Sequence, residues 1–258
     1  MRAFVFPGQG SQRKGMGEAL FRKYSEKTQQ ANQLLGYAVE DICLSSDQEK
    51  LNFTLYSQPA IYIVNALSYL DAREQGMPLP DFFAGHSLGE FNALQAAGAF
   101  DFVTGLKLVK KRAELMSELS GGGMAAVVGL TQKEIEAVLV EEGFENSAVA
   151  NHNTATQFVI SGPKNEIDLL NRRLKKERAL ELFHVLKTSG AFHSKYMGKA
   201  EIEFARFIED VKFSALNRPV ISNVTAREFS DDIIHILLPR QITSQGLWYD
   251  SVQYMRSK

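Results

Sequence analysis

A single cysteine, Cys43, stands among the 258 residues of this chain, so no intrachain disulfide can form and the chain suits a reducing cytoplasm. Its neighbours Val39, Ile42 and Leu44 mark it as a buried structural thiol rather than a reactive one. Charge of one sign is also missing. Lys and Arg total 29, Asp and Glu total 30, and the net charge is −1, so nothing global draws the chain to nucleic acid or to an anionic membrane. No apolar run approaches the roughly 20 residues that span a bilayer. The opening Arg2-Ala3-Phe4-Val5-Phe6-Pro7 has neither the charged region nor the long apolar core of a secretory signal. Internal repeats and low-complexity tracts are absent as well. What is present is a 45% hydrophobic composition, enough to bury a large core in one large domain or two smaller ones. The expectation is a soluble cytoplasmic protein, with a monomer as the default.

Against that background one stretch stands out: Gly85-His86-Ser87-Leu88-Gly89-Glu90. Residues 80–84 upstream read as a short buried strand. Residues 90–97 downstream read as a helix that opens on an acidic residue, as the macrodipole prefers. At such a corner the glycines let the backbone bend sharply and leave the serine hydroxyl exposed at the top of a sheet. Glycines and serines also make ordinary turns, so the strand-to-helix context carries the functional reading.

The rest of the chain reads as an α/β protein. A first strand over 2–6 is followed by a glycine-rich loop, Gln9-Gly10-Ser11-Gln12, and by helical patterns over 16–34, 47–51, 57–74 and 102–117. In the third of these Ile61, Val64, Leu67 and Leu70 share one face. Composition changes at Ser120-Gly121-Gly122-Gly123, a flexible-hinge candidate. Beyond it strands over 124–130, 148–151, 157–161 and 179–186 alternate with helices over 131–142 and 164–176. Thr131 with Glu134 forms a capping box at the start of the first. The order βαββαβ is the ferredoxin-like signature. The expected architecture is a large α/β-hydrolase-like body with a parallel sheet, over 1–123 and 188–258, plus a small inserted ferredoxin-like subdomain over 124–187.

A serine hydroxyl needs a neighbouring base at neutral pH, and the chain has five histidines. His235 and His184 lie in apolar or strand settings and read as packing residues, while His152 flanks a turn. His86 adjoins the serine, and neighbours at a tight turn point apart, so it reads as support for the corner. His193, in Ser189-Gly190-Ala191-Phe192-His193-Ser194, lies in a small-residue loop suited to reaching a cleft. Position alone leaves it equally a base or a satisfied loop histidine.

Four motifs occur in order: Phe6-Pro7-Gly8-Gln9-Gly10-Ser11-Gln12, the serine corner, Lys111-Arg112, and Gly190-Ala191-Phe192-His193-Ser194. Through them, and up to about Met255, the chain resembles the malonyl-CoA:acyl carrier protein transacylases, most of all the free-standing acyltransferases that load polyketide synthases in trans. The resemblance implies a Ser–His dyad without a carboxylate, in which Ser87 attacks the thioester and His193 is the general base. It places the carbonyl that orients the imidazole around Leu247. It also implies an oxyanion hole from the backbone N–H groups of Gln9 and Leu88, with no cofactor and no metal.

On the same resemblance Arg112 pairs bidentately with the free carboxylate of malonyl, although within Lys107, Lys110 and Lys111 it also reads as part of a solvated helix face. Gln58 lines the pocket, and Phe192 fills space that an α-methyl group would need. The implied partners are malonyl-CoA and an acyl carrier protein, with no nucleic acid and no membrane. The basic run Arg172, Arg173, Lys175, Lys176 and Arg178 is either a solvated face or a docking surface for an acidic carrier. The polyketide role is favoured by Gly190-Ala191-Phe192-His193-Ser194 and Tyr56-Ser57-Gln58-Pro59. The same reaction in fatty-acid synthesis and an editing acyl hydrolase are the alternatives, and Arg112 argues against the hydrolase. Family members continue into a further strand and helix with a Gly-Pro-Gly turn beyond Lys258, and the usual Asn-Pro before Trp248 is replaced here. An uncovered sheet edge or core is the expected consequence.

Overall fold

The computed structural model describes residues 1–45, 49–188 and 190–258. Its larger sheet is parallel and short. Strands β1 (Ala3–Phe6), β2 (Phe82–Gly85) and β7 (Val220–Ile221) lie in the order β1-β2-β7. All four residues of β2, Phe-Phe-Ala-Gly, are buried, the continuous apolar pattern of a parallel strand covered on both faces. Register pairs Phe6 with Gly85, so the loops leaving β1 and β2 emerge side by side. This brings the first two motifs of the sequence together at the carboxyl ends of the strands, where open α/β sheets bind their ligands.

Helices surround this sheet: α1 (Glu18–Lys23), α2 (Ser25–Leu35), α3 (Val39–Leu44), α4 (Glu49–Asn52), α5 (Thr54–Glu74), α6 (Gly89–Ala96) and α7 (Phe102–Ser117). The expected helix over 16–34 breaks at Tyr24, whose φ of −110° leaves the helical region. There Lys23 pairs with Asp71 at 2.6 Å and Glu74 at 3.0 Å, and the Tyr24 hydroxyl reaches Glu74 at 2.8 Å. Tertiary contacts with the end of α5 override local propensity. The expected helix over 47–51 appears as α4, its start at Asp47 lying outside the described residues.

The second sheet is antiparallel, with β3 (Gly122–Val128), β4 (Ala148–Thr154), β5 (Gln157–Pro163) and β6 (Leu182–Val185) in the order β4-β5-β3-β6. With α8 (Gln132–Glu141) and α9 (Lys164–Leu174) it forms the ferredoxin-like unit. The capping box is present: Thr131 Oγ1 accepts from Glu134 N, and Glu134 Oε2 accepts from Thr131 N at 2.7 Å. The expected glycine hinge is not one. Gly122 and Gly123 are strand residues paired with Pro163 and Gly162. A Cβ on Gly122 would stand 2.3 Å from the Ala191 nitrogen, so the glycine allows β3 to press against the loop that carries His193.

The chain closes with α10 (Gly198–Ile208), α11 (Ile234–Arg240) and α12 (Trp248–Arg256). Met255, Trp248 and Val252 of α12 cover Phe82, Ala84 and Ile221 of the parallel sheet. None of the helices searched among the described residues is long and apolar enough to cross a membrane.

The crossing of the body is too tight for side chains. A Cβ on Gly85 would lie 1.9 Å from the Gly89 carbonyl carbon, and one on Gly89 would lie 2.2 Å from the Phe6 oxygen. Backbone cannot yield as a side-chain tip can. Gly85→Ala and Gly89→Ala are each expected to lose roughly 3 kcal/mol or to fail to fold, whereas Gly198→Ala, with nothing within 4 Å, leaves the denaturation midpoint within a few degrees. Equal midpoints for all three chains would refute this account of the crossing.

Candidate active site

Ser87 occupies the turn between β2 and α6 with a φ of 51°, a left-handed conformation that costs about 1–3 kcal/mol for a non-glycine residue. Neither Gly85 nor Gly89 has a positive φ. The glycines of the corner are therefore required for close approach, and the strained backbone falls on the serine itself. Hydrogen bonds hold it there. The Ser87 N–H donates to Asn223 Oδ1 at 2.8 Å, and its carbonyl accepts from Gln241 Nε2 at 3.0 Å and from the Glu90 N–H at 3.0 Å.

His193 comes from the opposite side, also with a positive φ, 57°. Its N–H donates to the Ile242 carbonyl at 3.1 Å, and its Nε2 lies 2.8 Å from Ser87 Oγ. Nδ1 faces the Gln241 carbonyl at 2.8 Å. A carbonyl can only accept, so Nδ1 carries the proton and Nε2 presents a lone pair to the serine hydroxyl. Burial first, and the Arg112 charge second, hold the imidazole pKa down at about 3. Among the described residues no carboxylate bonds to it. The expected orienting carbonyl near Leu247 is corrected to Gln241, six residues earlier. Helix α11 ends at Arg240, leaving the Gln241 carbonyl without an intrahelical donor, while Leu247 instead caps α12 and donates its N–H to Asn223 at 2.9 Å.

Arg112 projects from α7 into the space beneath the serine. It is fully buried, unlike the neighbouring Lys110 and Lys111, which reach the Leu34 carbonyl and the Phe207 ring. One guanidinium nitrogen donates to Gln58 Oε1, and another donates to Gln241 Oε1 at 3.0 Å and to Ser87 Oγ at 3.1 Å. The Nε has no partner. No Asp or Glu among the described residues forms an ion pair with it; Glu90, itself fully buried, acts on it only through space. Burial lowers the Arg112 pKa to about 10 and raises that of Glu90 to about 7. A buried cation held only by neutral acceptors is costly, and it offers a strong site to an incoming anion.

A cleft of about 500 Å³ opens between the body and the small sheet, with Ser87, His193, Gln9 and Phe192 on its wall. Gln58 does not reach that wall as expected. Its carboxamide is buried, gripping Arg112 on one side and donating to Thr54 Oγ1 at 2.9 Å on the other. The Gln9 side chain is pinned by Ser57 and Thr54. The backbone N–H groups of Gln9 and Leu88 have no acceptor among the described residues.

The remaining histidines sort by contact. His184, expected to pack, is exposed on edge strand β6 and lines the cleft, because β6 pairs on one side only. His86 packs edge-on to Trp248 and meets Asn153 Oδ1 at 2.9 Å. His152 is stacked on Phe158 and paired with Asp250 at 3.0 Å. His235 is exposed and meets the Val211 carbonyl at 3.1 Å. Two residues with central contacts, Asn223 and Gln241, were not singled out from sequence. The only signal for Asn223 is its place just after a two-residue strand, too short to read by periodicity.

Comparison with known proteins shows the family. Residues 3–246 match the acyl transferase domain family. Over all 258 residues the chain is 50% identical to the polyketide biosynthesis protein PksE of Bacillus subtilis, and it spans about a third (34%) of that protein's length. It is 46% identical over its whole length to the polyketide biosynthesis malonyl CoA-acyl carrier protein transacylase BaeC of Bacillus velezensis, covering 89% of it. The crystal structure of a malonyl CoA-acyl carrier protein transacylase from Burkholderia pseudomallei matches with a TM-score of 0.96 at 46% identity, over 99% of this chain and 87% of that one. The chain belongs to the acyl transferase domain family, within its malonyl-CoA:acyl carrier protein transacylases.

Proposed function

We propose that this chain moves a malonyl group from malonyl-CoA to the phosphopantetheine thiol of an acyl carrier protein, in the service of polyketide assembly. The observation that carries the reading is Arg112, a buried cation without an ion-pair partner among the described residues, hydrogen-bonded to the hydroxyl that takes the acyl group. In a malonyl ester of Ser87 the free carboxylate lies one methylene beyond the ester carbonyl. That is short enough to meet a guanidinium already touching Oγ. The fork exchanges its neutral acceptors, Gln58 or Gln241, for the carboxylate.

The chemistry runs in two balanced halves. Ser87 gives its proton to His193 Nε2 as Oγ adds to the thioester carbonyl. The resulting oxyanion takes the free N–H groups of Gln9 and Leu88. Collapse breaks the carbon–sulfur bond, and the coenzyme thiol leaves with the proton from His193. The carrier thiol then returns a proton to His193, its sulfur attacks the ester, and Ser87 departs and is reprotonated. The Gln241 carbonyl stabilises the transient imidazolium through Nδ1, the part an aspartate plays in a triad. Phe192 walls the cleft where an α-branched acyl group would place its methyl. The similarity to PksE and BaeC supports the polyketide role. One buried thiol suits a reducing cytoplasm, and we read the working unit as a monomer.

Three measurements test this reading. Arg112→Ala is expected to lower kcat/KM for malonyl-CoA about 100-fold, the worth of a charge-assisted bond pair, while acetyl-CoA is tolerated better than before; intact-mass detection of the acyl-enzyme reads both, and equal losses would remove the carboxylate clamp. Because His193 is held far below the ordinary histidine pKa of about 6.5, its neutral form persists on acidification. Malonylation of Ser87 should therefore fall less than about three-fold between pH 7 and 5.5, where an ordinary imidazole would lose roughly ten-fold of its base form; an inflection near 6.5 contradicts the assignment. The same depression makes the unfolded chain bind a proton that the folded one refuses, so His193 costs stability as pH falls from about 6.5 towards 3. Finally, Arg173 is already engaged by Glu141, Glu142 and Glu177, leaving Arg172, Lys175, Lys176 and Arg178 exposed for an acidic carrier. Reversing Arg172 and Lys175 to Glu should raise the KM for the carrier roughly ten-fold at low salt without changing acylation from malonyl-CoA, and an unchanged KM assigns that face to solvent.

A further inference from the structure

We propose that Asn223 is the positioning residue of the nucleophile, its carboxamide carrying the Ser87 peptide while the Glu90 carboxylate locks that carboxamide in place. Asn223 follows β7, the strand beside β2 in the parallel sheet, and is buried. Its Oδ1 accepts from the Ser87 N–H at 2.8 Å, and its Nδ2 donates to the Gly85 carbonyl at 2.6 Å and to Glu90 Oε2. Its own N–H donates to the same carboxylate oxygen at 2.6 Å, and its carbonyl accepts from Leu247 N.

Every polar atom of the residue is thus engaged, and the orientation of the amide is determined. Only an oxygen can face the Ser87 N–H, and only a nitrogen can face Gly85 and Glu90. The three points that it grips, Gly85, Ser87 and Glu90, are the last residue of β2, the strained residue of the turn and the first turn of α6. No other side chain among the described residues bonds to all three. Among the described residues Glu90 makes no hydrogen bond to Ser87 Oγ or His193, yet α6 carries this fully buried carboxyl with Oε1 beyond hydrogen-bond distance of any partner. Its short hydrogen bonds among the described residues are those to Asn223, with the Gln241 side chain also acting on the carboxyl, and these account for a group that an apolar residue could otherwise replace. Neither residue touches a reacting atom; both act through the angle at which the serine hydroxyl is presented.

The inference rests on the reading of Ser87 as the nucleophile and not on the identity of the acyl group, so the test uses two electrophiles. Phenylmethanesulfonyl fluoride and malonyl-CoA are each mixed with the 258-residue chain, and modification of Ser87 is followed by intact mass. Asn223→Ala is expected to slow both modifications by a common factor of roughly 10 to 100, the cost of a displaced nucleophile, with the KM for malonyl-CoA within about two-fold. Glu90→Gln, which keeps an acceptor oxygen for the Asn223 donors, should slow both by no more than about three-fold. If Asn223→Ala does not fold, Asn223→Asp keeps the acceptor for Ser87 but loses the donors to Gly85 and Glu90, and should slow both electrophiles to an intermediate degree. Unchanged labelling in whichever of these two variants folds overturns the proposal. So does a loss confined to malonyl-CoA, which would make Asn223 a substrate contact. An unmodified chain that takes the sulfonyl group nowhere removes the nucleophile itself, and that result is read before any variant is compared.

Discussion

Gln241 is the point at which the site is assembled. Its backbone carbonyl fixes the tautomer of His193, its side-chain oxygen receives Arg112, and its side-chain nitrogen holds the carbonyl of Ser87. Three groups from α7, the elbow and the 193 loop, separated by up to 106 positions in the chain, meet at one residue just past the end of α11. A glutamine suits this place because it offers a donor and an acceptor on one rigid plane. A charged residue would upset the balance between a neutral base and a buried cation a few ångströms apart.

That balance is electrostatic as much as geometric. Arg112 and an imidazolium at 193 would repel each other in a medium from which water is excluded, so the arginine, after burial, helps to keep the histidine in its neutral form with a free lone pair on Nε2. The buried carboxyl of Glu90 offsets part of the arginine's charge without pairing with it. The guanidinium is left without an ion-pair partner among the described residues, and the imidazole keeps a lone pair facing the Ser87 hydroxyl. A direct Glu90–Arg112 ion pair would instead have occupied the guanidinium that the proposed function reserves for a malonyl carboxylate.

Much of this could be read from residues in advance, and the misses have physical causes. The serine corner, the 102–117 helix and the βαββαβ order carry strong local signals: glycine spacing, an amphipathic period and a capping box. The break at Tyr24 depends on an ion pair with residues about fifty positions away, which no local pattern contains. The glycines at 122 and 123 resemble a linker in composition but serve a close packing contact, a distinction visible only once Ala191 is placed. Gln241 and Asn223 were overlooked for a related reason. Amides have no periodic or motif signature, and their value lies in partners that the fold supplies. The resemblance places the carbonyl that orients His193 around Leu247, whereas the end of a helix selects Gln241.

The contact between Gly122 and Ala191 leaves no room for an interposed methyl group. The first strand of the small sheet and the loop bearing the imidazole are in effect one rigid piece at that point. A shift of that strand must either carry the His193 loop with it or open a gap at this contact.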